Sequence, residues 1–97
     1  SAILVDVADV NLDTLLASLK KKEFTNVKNW VVQHMDNDPS MVMRKIYDSI
    51  YGVMKPASIP EAVLIIAKYM RDIQIVPDQE VNMLACLTEI MMSCEFK

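Results

Sequence analysis

Glycine is almost absent from this 97-residue chain: Gly52 is the sole example. Phosphate-cradling glycine loops need more than one glycine, so no nucleotide-binding loop of that kind lies here. Tight hairpin turns also draw on glycine, which makes an all-β sandwich or barrel a poor fit. Histidine occurs once, as His34, beside Met35 and Asp36 near a predicted helix end. A Ser-His-Asp or Cys-His arrangement would have to use that residue, and we read it instead as a surface or capping histidine. Cysteine occurs twice, at Cys86 and Cys94 on one predicted helix. Their Cα atoms would lie roughly 12 Å apart along that helix, beyond disulfide reach. The spacing matches no zinc pattern, so two buried free thiols in a reducing cytosol are expected.

Positive charge is scarce too. Ten Lys and Arg residues stand against thirteen Asp and Glu, giving a net charge of -3 and a pI of about 5.0. A domain gripping nucleic acid by itself needs clustered positive charge to neutralise phosphates. The one basic run, Lys20-Lys21-Lys22, reads as the wet end of a helix. The longest apolar run, Ala62 to Ala67, is bounded by Glu61 and Lys68 and is too short to span a bilayer.

What the chain has is apolar side chains. They make up 53% of it, and the mean hydropathy is +0.21. Intrinsic disorder is excluded, and the value is high for a small monomer with much surface to keep wet. The length suits one domain over residues 1–97. The chain opens on Ser1 and an apolar stretch, Ala2 to Val5, with neither initiator Met nor signal peptide. We therefore expect a piece cut from a longer protein.

The pattern is helix after helix. Leu12, Leu15, Leu16 and Leu19 form one stripe over about Leu12 to Lys21, with Asn11 as N-cap. A second helix is predicted over Asn26 to Met35, capped by Thr25 and anchored in the core by Trp30. The third opens at Asp38-Pro39 and runs to about Met54, with Val42, Ile46, Ile50 and Val53 at its apolar centre and Arg44 and Asp48 paired on the wet side. Ser58 caps a fourth, which lasts to about Gln74. Pro77-Asp78 opens the fifth, which reaches about Glu95. The expected fold is all-α, a single five-helix bundle.

The fifth helix carries two apolar sectors when residues are placed about 100° apart. Met83, Leu84, Cys86, Leu87, Ile90, Met91 and Cys94 form the wide one. Val81, Ala85 and Met92 form a smaller one, separated from the first by Thr88 and Glu95 on one side and by Asn82, Glu89 and Ser93 on the other. A single stripe covers a single core, so a second stripe is a candidate interface with another polypeptide. The alternative is a central helix covered on both sides by its own chain. Leu64, opposite the main stripe of the fourth helix among Lys68 and Arg71, adds weak support for a contact.

No catalytic or metal-binding constellation stands out in the sequence. Asp36-Asn37-Asp38 begins like a calcium loop, but Met41 stands where glycine is needed and Tyr47 where the bidentate glutamate belongs. Glu80 with Glu89, or Glu89 with Glu95, read as solvated carboxylates and not as an acid–base pair. The eight methionines are spread over four helices and read chiefly as core filler, although a Met-lined surface can also bind partners.

Five stretches, in order, resemble a known family. They are Leu15 to Phe24 with its basic-acidic-phenylalanine exit, Trp30-Val31-Val32, Asp38-Pro39 through Asp48, Ala62 through Asp72, and Asp78 through Met91. Together they resemble the C-terminal collar domain of sliding-clamp loader subunits. That family comprises the replication factor C small subunits, the bacterial gamma subunit and the large ATPase subunit of tailed-phage clamp loaders. The ending Ser93-Cys94-Glu95-Phe96-Lys97 is most similar to the phage version. The resemblance implies an oligomerisation domain. In the family, five such domains join into a collar that holds AAA+ ATPase modules in a spiral, so that a sliding clamp is opened and placed on primed DNA. The implied partners are sibling clamp-loader subunits, with clamp and primed DNA reached only through the full assembly and no membrane involved. ATP and magnesium would belong to the AAA+ region, leaving this fragment without cofactor, metal or catalytic residue and without enzymatic activity of its own. The implied location is the bacterial or phage-infected bacterial cytoplasm. The competing reading is a stand-alone helical adaptor with a Met-lined groove that takes a partner helix.

Overall fold

The computed structural model describes residues 11–97. The apolar stretch Ala2 to Val5 lies outside them. Five α-helices follow in order: α1 Asp13–Lys21, α2 Phe24–Gln33, α3 Pro39–Val53, α4 Ile59–Asp72 and α5 Gln79–Ser93. A 3-10 turn, Pro56–Ser58, joins α3 to α4. The expected all-α five-helix bundle is present, and the only β pairing among the described residues is a single antiparallel bridge between Met54 and Phe96.

Local chemistry sets most of the helix ends. Asn11 accepts the Asp13 N–H through its side chain at 2.8 Å, capping α1 from just outside it. Asp38 accepts from the Ser40 N–H at 2.9 Å, with Pro39 in the first turn of α3. Asp78 accepts from the Val81 N–H at 3.2 Å and starts α5. Two expected caps are corrected. Helix α2 begins at Phe24, ahead of Thr25, because the Glu23 carbonyl already accepts the Val27 N–H at 3.1 Å. Ser58 gives α4 no side-chain cap. Its hydroxyl instead accepts the Glu95 N–H at 2.9 Å, across the fold.

That bond belongs to a strap at the C-terminal end. Helix α5 stops at Ser93, short of the expected Glu95, and the chain crosses the α3–α4 junction in extended form. Lys55 N–H donates to the Glu95 carbonyl and Lys97 N–H to the Val53 carbonyl, both at 2.9 Å. Phe96 packs partly buried against the core.

The core is one cluster with contributions from every helix. Leu15 and Leu19 of α1, Val27, Trp30 and Val31 of α2, Val42, Ile46 and Ile50 of α3, and Ala62, Ile65 and Ile66 of α4 are all buried. Helix α5 packs against α1, α2 and α4 and supplies Met83, Cys86, Leu87, Ile90 and Met91. Methionine serves mainly as filler: Met43, Met54, Met83 and Met91 are buried, and Met35 and Met70 pack against the cluster. Trp30 meets the core as expected, and its Nε1–H donates to the Asn11 carbonyl at 3.2 Å. His34 is the C-cap of α2. Its ring stacks on Trp30 with centroids 4.0 Å apart, and Nδ1–H donates to the Trp30 carbonyl at 2.7 Å.

Candidate interaction surface

Helix α5 divides as its two sectors predict. The wide sector faces inward, with Leu84 half-buried at its margin. The narrow sector faces out: Val81 is 62% exposed and Met92 is 68% exposed, with Ala85 half-buried between them. The described residues therefore do not cover α5 on both sides. An exposed row of this kind on a short helical chain is an unpartnered apolar face.

The face is the floor of a shallow groove of about 530 Å³, lined by Phe24, Val81, Leu84, Ala85, Thr88, Glu89 and Met92. A second depression of about 260 Å³ continues it past the start of α5, along Val76, Pro77, Asp78, Val81, Asn82 and Ala85. Of the expected contact residues, Val81, Ala85 and Met92 are brought together here. Leu64 is 69% exposed but does not line the groove; it sits on α4 one turn before Lys68.

Phe24 belongs to this surface and was not among the expected contact residues. It is 44% exposed and forms the α2 side of the groove. Helix periodicity gives no signal for it: Phe24 stands three residues before Val27 and seven before Val31, in line with the buried stripe, yet it is exposed.

The α4 side is closed by a polar cluster. Glu89 Oε1 accepts from Lys68 Nζ at 2.9 Å and from the Tyr69 hydroxyl at 2.8 Å. The Lys68 hydrogen bond, and then that of Tyr69, hold the Glu89 carboxyl below the usual glutamate range. The same bond to Glu89 raises Lys68. Burial, and then the bond to Glu89, raise Tyr69. Glu89 is thus a neutralised wall of the groove. Two turns earlier on α5, Asn82 is buried and donates from Nδ2 to the Tyr69 carbonyl at 3.2 Å. These bonds fix α5 against α4 in an antiparallel pair and so fix which way the narrow sector points.

At the other end, Lys22 Nζ donates to the Met91 carbonyl at 3.1 Å. The basic run is the exposed last turn of α1, and its final member ties that turn to the C-terminal end of α5. Both cysteines are free and buried. Burial, with a smaller contribution from the Glu89 charge, pushes the Cys86 thiol up to about 12, and burial also raises Cys94. Neither has the lowered pKa of a nucleophile.

Among the described residues, no group of His, Cys, Asp and Glu side chains is placed to hold a metal ion. No described helix is long and apolar enough to cross a membrane. The chain matches no family model and no curated protein.

Proposed function

We propose that this chain is an oligomerisation domain of the collar type, from a subunit of a DNA polymerase sliding-clamp loader. The carrying observation is the outward row of Val81, Ala85 and Met92 on a helix whose opposite face is fully committed to the core. A contiguous row of exposed apolar side chains, on a helix already anchored on three neighbours, suits a contact with another chain. The five-helix order and the five resembling stretches support the same reading. In it, sibling subunits join through α5, and the domain does no chemistry. ATP and magnesium act in AAA+ modules elsewhere in the parent protein, and clamp and primed DNA meet the assembled loader.

The coding sequence upstream of Ser1 tests this. A Walker-type loop followed by the remainder of an AAA+ module is the expected finding. An upstream region with no ATPase module contradicts the clamp-loader reading and favours the stand-alone adaptor.

A further inference from the structure

We infer that the occupant of the α5 groove is a single amphipathic helix of a sibling chain, lying along α5 with apolar knobs over Ala85 and acidic residues on the side of α2. The inference rests on the proposed oligomerisation role and adds the kind of element that fills the site.

The outward residues Val81, Ala85, Thr88 and Met92 are spaced four, three and four apart. That is the alternation of a coiled-coil seam, which keeps a row on one side of a helix over several turns. The groove lining contains more than the seam. Val81, Leu84, Ala85 and Thr88 stand at i, i+3, i+4 and i+7, and so do Ala85, Thr88, Glu89 and Met92. Four residues in that arrangement enclose one hole for a side chain of a facing helix. The two holes share Ala85 and Thr88. Ala85, the smallest of the lining side chains, leaves the depth at their common edge. A helix is the element that presents knobs at this repeat. An added β-strand needs free backbone N–H and C=O groups, and those of α5 are used within the helix.

Charge gives the occupant a direction. On the α4 side, Glu89 is already held by Lys68 and Tyr69, so that wall offers no free carboxylate to a basic partner. On the α2 side, Lys28 stands exposed one turn after Phe24 and forms no ion pair among the described residues. Lys22 adds positive charge beside Met91. An acidic flank on the incoming helix meets both.

Site-directed photocrosslinking tests this in the full-length protein. Val81→Cys, Ala85→Cys, Thr88→Cys and Met92→Cys are each labelled with benzophenone maleimide. The native Cys86 and Cys94 are buried and spared. The label is photolysed in the assembled complex and the adducts are mapped by mass spectrometry. The four positions are expected to mark one segment of a sibling chain, at residues three or four apart, with Asp or Glu among the neighbouring positions. Lys28→Glu is expected to raise the concentration for half-assembly by about ten-fold, and Lys28→Arg to restore it. Adducts to a sibling chain at every second residue, or scattered over separate segments, overturn the helical occupant and leave the oligomerisation role standing. No effect of Lys28→Glu overturns the acidic flank. No adduct to any sibling from all four positions overturns the inference and the role together.

Discussion

Lys22 reaches the Met91 carbonyl at 3.1 Å from a left-handed backbone conformation, with φ of 60°. It is the one residue of positive φ among those described, and it is a lysine where a helix end usually has glycine. The left-handed turn lets Lys22 N–H donate to the Leu19 carbonyl and Glu23 N–H to the Ser18 carbonyl, which closes α1. The side chain then places a cation at the C-terminal end of α5, where helix dipoles favour it.

Two substitutions separate these contributions. Lys22→Ala keeps the backbone cost and loses the cross-link, so it should lower stability by about 1 kcal/mol. Lys22→Gly loses the same cross-link but relieves a strain of about 1 kcal/mol, so it should lie near wild type. Urea denaturation of both variants reads the difference. Equal stabilities would show that the left-handed turn costs lysine nothing here.

Met91 and Met92 are neighbours in sequence with opposite environments, 4% and 68% exposed. Met91→Glu should unfold the domain or cost on the order of 4 kcal/mol, because it buries a carboxylate with no partner. Met92→Glu should change stability by no more than about 0.5 kcal/mol. Thermal denaturation followed by circular dichroism checks both. A large loss with Met92→Glu would mean that the outward row contributes to the fold itself.

Glu89 makes part of the stability depend on pH. Its carboxyl is held below its ordinary range in the folded chain, so the folded state binds this proton less readily than the unfolded state does. The contribution is fully present above the unfolded glutamate value of about 4.3 and is lost as pH falls through the lower folded value. Glu89→Gln should therefore flatten the decline in stability as pH falls below about 4.3. Parallel curves for wild type and variant would remove Glu89 from the account.

Much of this was legible from residue order because its causes are local. The stripe of Leu12, Leu15 and Leu19, the Asp38-Pro39 opening of α3 and the Arg44–Asp48 pair at 3.3 Å depend on residues within a few positions of one another. The two sectors of α5 also follow from angle alone, and with them the outward place of Val81 and Met92. The misses depend on distant parts of the chain. Ser58 has the side chain of a cap, but its hydroxyl is taken by Glu95 from the far end of the chain. The pairing of Met54 with Phe96 joins two segments that show no strand pattern on their own. Phe24 enters the groove because α2 packs beside α5, a relation that helix periodicity within α2 does not contain. The Glu89 cluster likewise needs α4 antiparallel to α5 before Lys68 and Tyr69 converge on one oxygen.

We propose that a sibling chain covers the outward row of α5. Sedimentation velocity of the full-length subunit, mixed with its siblings, tests it most directly with Ala85→Glu and Met92→Glu, each first verified as folded by circular dichroism. A charge placed on that row should leave the subunit folded and unassembled, sedimenting as a single chain. Folded variants that assemble to the same size and at the same concentration as wild type would contradict the claim.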